Sequence, residues 1–145
     1  MIVWPLGTTT TQYDRTMHYR NFVRKQALAD WKLLSDQSID DTPLADDIHF
    51  VFLGPDPLAA DLRGAETVRA WFRNEFFPRL PHLQFVVEET IVEGGPWSTR
   101  IATRYRTERD GTLVYRGVYF GRVVWGKVVE ERILPDTKAL AAALG

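Results

Sequence analysis

The sequence predicts an α+β domain in which helices cover one face of an antiparallel sheet. Apolar residues recur at three- and four-residue spacing through most of the first half of the chain, which is typical of helices. In the second half they alternate with polar residues, and short glycine-containing segments separate the alternating runs, which is typical of a meander of hairpins. A length of 145 residues is enough for one domain with a substantial core.

The composition argues against several classes of partner. The 18 basic and 19 acidic side chains nearly balance, so we expect neither nucleic acid nor a membrane surface as a partner. The chain has no cysteine, and its three histidines lie far apart in the sequence, so we expect no disulfide and no metal site. The N-terminus lacks the pattern of a signal peptide or a membrane span. We therefore expect a cytoplasmic protein whose partner is a small molecule or another protein.

The N-terminal stretch differs from the rest of the chain. Residues 1–15 are predicted to form an arm and residues 16–145 one domain, because the arm lacks apolar periodicity and contains four consecutive threonines. Two alternatives stay open for its first residues, a frayed end or docking on a groove or a partner subunit. The second alternative involves the apolar side chains of Ile2, Val3, Trp4 and Leu6.

The rest of the first half is predicted to contain two helices and a strand. The first helix points Trp31 inward, and Ile48, Phe50 and Phe52 share one face of the strand. Between them, Pro43 is expected at the first position of a short helical turn, where its missing N–H is tolerated. The predicted elements are a helix over 14–37, a helical turn over 40–47, a strand over 47–54, a loop over 54–64 and a helix over 65–80.

The second half is predicted to contain four strands over 82–93, 97–108, 113–124 and up to Pro135, followed by a short closing helix. Loop length decides which residues face the helices, because a slip of one residue turns every side chain to the other face. We predict three-residue loops in the last two hairpins, with Gly111 and Gly126 in the left-handed conformation. Two-residue loops would turn arginines toward the covered face, which is costly.

This register assigns the two faces of the sheet. The outer face receives a row of arginines: Arg100, Arg104, Arg106, Arg116 and Arg122. On the covered face, the predicted pairs are Tyr105 with Tyr115, Thr103 with Gly117, Ile101 with Tyr119, Tyr119 with Glu131 and Gly117 with Ile133. The charged side chain of Glu131 is thus expected inside, among Tyr119, Ile101 and Ile133.

Four segments, "LADDIHF", "GAETVRAWF", "GGPW" and "GKVVEERILPD", resemble the SnoaL-like branch of the nuclear transport factor 2 superfamily, over about Phe22 to Gly145. The resemblance implies a cone-shaped, curved antiparallel sheet wrapped around helices, a cystatin-like α+β barrel, with an apolar ligand cavity. It also implies a homodimer. The residues expected to line the cavity are Trp31, Phe50, Phe52, Ile101, Thr103, Tyr105, Tyr115, Tyr119, Glu131 and Ile133.

The sequence also departs from the catalytic patterns of that superfamily. The aspartate on the last strand of the polyketide cyclases and limonene epoxide hydrolases corresponds to Ile133 here. The Arg and Asp of the hydrolases correspond to Thr103 and Tyr105, and the base of the steroid isomerases corresponds to Phe52. Glu131, two residues before Ile133 on the same face, is the carboxylate that we expect deep in the cavity.

These residues favour a pocket for a hydrophobic, carbonyl-bearing small molecule. Burial should raise the pKa of Glu131 toward neutrality, which suits general acid or base catalysis in a cyclase or isomerase without a cofactor. Tyr119 or Tyr105 is then a candidate donor to a developing oxyanion, as is Tyr115. Two alternatives stay open: a ligand-binding protein in which Glu131 only satisfies Tyr119, and a dimeric interaction module.

Overall fold

The computed structural model describes residues 7–145 of the chain, with side chains from Arg15 onward. The helices are α1 (Gly7–Ser35), α2 (Ala65–Trp71), α3 (Phe77–Arg79) and α4 (Thr137–Leu144), with a 3₁₀ turn at Ile39–Asp41 and a π-helical segment, Phe72–Phe76, joining α2 to α3. The strands are β1 (Leu44–Phe52), β2 (Ala60–Arg63), β3 (Gln84–Gly95), β4 (Ser98–Arg109), β5 (Thr112–Val124) and β6 (Lys127–Pro135).

The six strands form one sheet in the order β2-β1-β6-β5-β4-β3. Strands β3 to β6 form the predicted antiparallel meander, and β1 joins it by pairing parallel with β6. Helices pack on one face, where the Trp31 ring of α1 lies 4.7 Å from that of Tyr105, and the Trp71 ring of α2 lies 5.1 Å from that of Phe50. The predicted α+β class and the curved sheet covered by helices are confirmed.

Several predicted boundaries in the first half are wrong. Helix α1 begins at Gly7, so residues 7–15 of the predicted arm are helical, while Ile2, Val3, Trp4 and Leu6 lie outside the described residues. The helical turn precedes Pro43 rather than following it, because the Pro43 carbonyl accepts a hydrogen bond from Val128 N–H at 2.8 Å, and β1 begins at the next residue.

The loop predicted over 54–64 contains a short strand. Strand β2 pairs antiparallel with β1, placing Leu62 opposite Phe50. Its four residues form an edge of the sheet, and short edge strands are poor templates for pairing with another chain. Because Pro55 and Pro57 precede this strand, the sequence pattern indicated a loop.

The two hairpin loops each contain two residues rather than three. Arg109 pairs with Thr112 and Val124 with Lys127. Both loop residues have positive φ in each case, 52° and 78° at Asp110 and Gly111, and 47° and 80° at Trp125 and Gly126. Positive φ at both positions is the requirement of a type I′ turn. The left-handed glycines are confirmed and the three-residue loops are wrong.

A bulge follows each turn and restores the predicted faces. Thr107 pairs with Tyr115 and Glu108 with Leu113, so Val114 is an extra residue on β5. The Thr107 hydroxyl accepts a hydrogen bond from Tyr115 N–H at 3.1 Å and donates one to its carbonyl at 3.0 Å, which holds the bulge. In the last hairpin, the extra residue lies between those that pair with Arg122 and Val123.

The predicted strand partners are therefore wrong by two residues, whereas the faces are right. The observed pairs are Tyr105 with Gly117, Thr107 with Tyr115, Thr103 with Tyr119, Ile101 with Gly121, Tyr119 with Ile133 and Gly121 with Glu131. The five arginines lie on the outer face as predicted, where Arg106 pairs with Glu88 at 3.2 Å and Arg122 with Glu130 at 2.9 Å.

Among the described residues, no helix is both long and apolar enough to cross a membrane.

Candidate functional site

A cavity of about 460 Å³ lies between α1 and the covered face of the sheet. Helix α1 contributes a stripe at three- and four-residue spacing: Tyr19, Phe22, Val23, Gln26, Ala27, Asp30, Trp31 and Leu34. Strands β4 to β6 contribute Ile101, Tyr119, Val123, Val128, Glu131 and Ile133. The lining is mostly apolar, and its carboxyl groups come from two elements, Asp30 from α1 and Glu131 from β6.

The cavity opens to solvent beside the turn between β5 and β6. Trp125 in that turn is 71% exposed and Phe22 of α1 is 58% exposed, although both line the cavity. Farther along α1, the Tyr19 hydroxyl is hydrogen-bonded to the Thr99 hydroxyl at 2.5 Å, which joins the helix to β4. The opening is thus flanked by aromatic side chains.

The structure brings half of the predicted site residues into the cavity. Those that line it are Trp31, Ile101, Tyr119, Glu131 and Ile133. The others, Phe50, Phe52, Thr103, Tyr105 and Tyr115, are at most 2% exposed and belong to the packed core.

Ring packing explains why three of these residues do not line the cavity. Trp71 covers both Phe50 and Phe52, with ring centroids 5.1 and 5.2 Å away, and Trp31 covers Tyr105. Tyr105 was predicted to be a catalytic donor, but its side chain does not reach the cavity.

The position of Glu131 depends on a glycine in the neighbouring strand. Glu131 pairs with Gly121 of β5. A Cβ atom placed on Gly121 would lie 2.8 Å from ring carbons of Tyr119, so the Tyr119 ring occupies the space that a side chain would take. The hydroxyl of Tyr119 is thereby directed toward the Glu131 carboxyl group, close enough to influence its pKa.

The environment of these groups changes their acidity. Burial raises the pKa of Glu131 to about 7; the hydrogen bond from Tyr119 lowers it and the negative charge of Asp30 raises it. Burial also raises the pKa of Asp30 to about 6. The pKa of Tyr119 is raised well above its usual range, by burial first and then by Glu131. Near neutral pH, Tyr119 keeps its proton and can donate a hydrogen bond, and Glu131 is present in both its neutral and its ionised form.

Asp30 was not among the predicted site residues, although the sequence carries a signal for it. Asp30 lies three residues after Ala27 and four after Gln26, so it continues the stripe that leads to Trp31. A carboxylate at the edge of an inward-facing helical stripe is a candidate for a functional group. No cluster of three or more metal-ligating side chains occurs among the described residues.

Solved structures show the same fold at low sequence identity. An NTF2-like protein with a cystatin-like fold from Novosphingobium aromaticivorans superposes with a TM-score of 0.69 at 16% identity, covering 94% of this chain and 95% of that one. An NTF2-like protein of unknown function from Burkholderia pseudomallei gives a TM-score of 0.64 at 18% identity, covering 83% and 95%.

A third structure, from Jannaschia, is described provisionally as a SnoaL-like polyketide cyclase. It gives a TM-score of 0.54 at 23% identity, covering 76% of this chain and 77% of that one. At these identities the likeness concerns the fold alone. The comparison with curated proteins gave no match.

The family model of the SnoaL-like domain matches residues 37–131, which is more than half of the chain. The last matched residue is Glu131 of the cavity. The match includes β1 to β5 and most of β6, and α1 with Asp30 precedes it. The chain belongs to the SnoaL-like domain family and has the NTF2-like fold.

Proposed function

We propose that the protein binds a hydrophobic, carbonyl-bearing small molecule in this cavity and catalyses a proton transfer on it, as a cyclase or isomerase that needs no cofactor. The observation that carries the proposal is the carboxyl group of Glu131, placed in an apolar cavity beside the hydroxyl of Tyr119. A general base works best when its pKa lies near the operating pH, and burial brings Glu131 to about 7.

The cavity itself supports a small ligand. Its volume of about 460 Å³ lies within the range of about 300–1,000 Å³ found for small-molecule sites. Such sites combine apolar walls with a few polar groups that orient the ligand. Here Trp31, Ile101 and Ile133 provide apolar walls, and Tyr119 and Glu131 provide polar groups.

The proposed reaction begins when ionised Glu131 removes a proton from a carbon next to the ligand carbonyl. The C–H electron pair moves toward the carbonyl, and the oxygen gains negative charge. The Tyr119 hydroxyl then donates a hydrogen bond to this oxygen, because Glu131 becomes neutral and is a weaker acceptor than the oxyanion. In a β,γ-unsaturated ligand, Glu131 then returns the proton to the γ-carbon and the double bond moves into conjugation with the carbonyl, which is an isomerisation. In a ligand with a second carbonyl, the enolate carbon attacks that carbonyl and closes a ring, and Glu131 gives its proton to the alkoxide that forms.

Asp30 has a positioning role in this proposal. Its negative charge raises the pKa of Glu131, so protonation of one group favours ionisation of the other. Two carboxyl groups that share one charge keep a base available while limiting the charge buried in the cavity.

One observation favours the alternative, a protein that binds the ligand without converting it. The side chain at the position that corresponds to the catalytic aspartate of the cyclases is Ile133, and it lines the cavity. An apolar residue there adds binding surface and removes the family's acid.

Deuterium uptake by a probe ketone distinguishes the catalyst from the non-catalytic binding protein, and it does not require the natural ligand. The probe is 2-tetralone, an apolar ketone with acidic α-protons, incubated in D₂O and followed by NMR. We expect the protein to accelerate exchange and Glu131→Gln to slow it by about 100-fold or more. Glu89→Gln, on the exposed outer face, is the matched control and should exchange at the parent rate.

Two results would decide against catalysis by Glu131. If Glu131→Gln exchanges 2-tetralone as fast as the parent protein, Glu131 is not the base. If 2-tetralone quenches the tryptophan fluorescence of the protein saturably and no exchange is accelerated, the non-catalytic binding protein is the better description.

A further inference from the structure

A second cleft adjoins the cavity at the N-terminal part of α1. Its volume is about 490 Å³, and it lies between α1 and the turn that joins β3 to β4. The residues that line it are Arg15, Thr16, Tyr19, Arg20, Gly94, Gly95, Pro96 and Trp97. Tyr19 and Pro96 line both spaces, so they form a shared wall between the cavity and the cleft.

The cleft is positively charged. Arg15 and Arg20 contribute two guanidinium groups, and none of the described residues that line the cleft is acidic. The Nε atom of Arg20 is buried and has no hydrogen-bond partner among the described residues. A buried donor without an acceptor is unfavourable, and an anion bound beside this guanidinium would offset the cost by pairing with its charge.

Other arginines of the structure have ion-pair or hydrogen-bond partners for their guanidinium groups. Arg106 and Arg122 of the sheet form ion pairs with glutamates. The Nε atom of Arg69 is also buried without a partner, but its Nη2 donates to the Thr42 carbonyl at 3.0 Å. Arg20 has neither kind of contact with the described residues, and it lines an open cleft.

The opposite wall of the cleft is shaped by the β3–β4 turn. A Cβ atom on Gly95 would lie 2.5 Å from the ring of Trp97, so the absence of that side chain lets the ring fold over the turn. The shared wall is held in place because the Tyr19 hydroxyl is bonded to that of Thr99, which in turn donates to the Gly95 carbonyl at 2.8 Å. The arginines therefore face a fixed aromatic and backbone surface.

We infer that this cleft binds an oxyanion group, and that the group belongs to the same ligand whose apolar body occupies the cavity. The planar guanidinium of arginine presents paired donors that match carboxylate, sulfonate and phosphate oxygens. The ligand class is thus an amphipathic molecule with an apolar, carbonyl-bearing body and an anionic end. This inference rests on the proposed function for the cavity and adds the recognition of the ligand's charge.

Two fluorescent probes with nearly the same aromatic body test the inference. 8-Anilinonaphthalene-1-sulfonate carries a sulfonate, N-phenyl-1-naphthylamine does not, and both gain fluorescence in apolar sites. We expect the parent protein to bind the sulfonate probe at least about tenfold more tightly, which is the size of a charge-assisted hydrogen bond. Arg20→Gln should remove this preference and leave the Kd of the neutral probe unchanged, and Arg15→Gln should reduce the preference.

Two further variants serve as controls. Arg24→Gln makes the same charge change on the same helix, at a residue that bonds Asn21 and lines neither space, and should keep the preference. Ala27→Trp fills the cavity and should weaken both probes, since Ala27 lines the cavity and not the cleft. Thermal unfolding of each variant verifies that it is folded.

The outcomes separate the two proposals. Equal Kd values for the two probes in the parent protein, or equal losses in Arg20→Gln and Arg24→Gln, would overturn the anion site and leave the apolar cavity intact. Binding of the sulfonate probe that Ala27→Trp does not weaken would show an anion site independent of the cavity, which contradicts the inference of one shared ligand. Binding of neither probe would contradict the proposed function and, with it, this inference.

Discussion

Gly121 lies opposite Glu131 in the β5–β6 ladder, and the absence of a side chain at Gly121 leaves the space that the ring of Tyr119 occupies. Tyr119 is only two residues from Gly121, so both lie on the same face of β5. The contact between the tyrosine and the carboxyl group therefore depends on local backbone pairing as well as on the choice of side chains. Changes at these positions should alter the acidity of Glu131 in predictable directions.

Tyr119→Phe should raise the pKa of Glu131 above its parent value of about 7. The hydrogen bond from Tyr119 stabilises the ionised carboxylate, and phenylalanine keeps the ring while removing that donor. The pKa can be followed by ¹³C NMR of the glutamate side chains, with Glu131→Gln identifying the resonance. A pKa that falls in Tyr119→Phe would contradict the described contact.

Gly121→Ala should act in the same direction through a different cause. The added methyl group collides with Tyr119 and displaces its ring, so the donor is lost and the core is strained by about 1–3 kcal/mol. The free energy of unfolding in urea measures the strain. If Gly121→Ala leaves both the stability and the Glu131 titration unchanged, the tyrosine does not occupy the space over residue 121.

Asp30→Asn should lower the pKa of Glu131, because a neighbouring negative charge that disfavours its ionised form is removed. Any proton transfer by Glu131 should then reach its full rate at lower pH. The pH profile of 2-tetralone exchange measures this shift, which a purely structural role for Asp30 would not produce. Asp36→Asn, at an exposed position in an i,i+4 pair with Lys32, is the matched control and should leave the profile in place.

The raised pKa of Glu131 also predicts how stability depends on pH. The folded protein binds the Glu131 proton more tightly than the unfolded chain does, so between the unfolded pKa of 4.5 and about 7 the folded state holds more protons. The free energy of unfolding therefore falls as pH rises through this window, and Asp30 adds to the fall up to about pH 6.

Glu131→Gln should remove the contribution of Glu131 to this pH dependence. The variant should be more stable than the parent above pH 7 by on the order of 3 kcal/mol and differ least near pH 4. Glu131→Leu should stabilise the protein further at neutral pH, because an apolar side chain suits the cavity wall better than a carboxylate. Urea denaturation at several pH values measures both; a parent whose stability rises between pH 4.5 and 7 relative to Glu131→Gln would contradict the assigned pKa.

The faces of the sheet could be predicted from the sequence, whereas the strand partners could not. The face to which each side chain points is determined by the cost of burying charge, since a one-residue slip would bury charged groups such as Arg104 and Arg116. The structure meets this requirement with a two-residue turn and a bulge instead of a three-residue turn. The bulge depends on the Thr107 hydroxyl bonding both backbone groups of Tyr115, and no pattern in the sequence marks that contact.

The sequence also did not indicate which residues of the covered face belong to the packed core and which line the cavity. The sequence shows that Tyr105 and Tyr119 face the same way. Only the position of α1 decides that the Trp31 ring contacts both, at 4.7 Å from Tyr105 and 5.5 Å from Tyr119, and that Tyr119 lines the cavity whereas Tyr105 does not. Helix crossings depend on many contacts at once and leave little trace in local spacing. By contrast, the spacing of α1 did carry the information that Asp30 faces inward.

The last prediction concerns the outer face of the sheet, through which we propose that the protein forms a homodimer. Ala102 pairs with Phe120, and Val118 pairs with Leu134, so the two pairs form a continuous apolar patch across β4, β5 and β6. Phe120 is 48% exposed and Leu134 is 40% exposed. Apolar side chains that lie exposed together on a sheet face are typical of protein interfaces.

Phe120→Glu should convert the dimer to a monomer, because it places a charge at the centre of the patch, where a partner subunit would have to desolvate it. Sedimentation at micromolar concentration should give twice the 16.7 kDa chain mass for the parent protein and the single-chain mass for the variant. Leu113→Glu is the matched control, since Leu113 is similarly exposed, at 43%, but lies next to the β4–β5 turn, away from the patch. A parent protein that sediments as a monomer would contradict the dimer. If Leu113→Glu dissociates the dimer and Phe120→Glu does not, the interface is elsewhere on the surface.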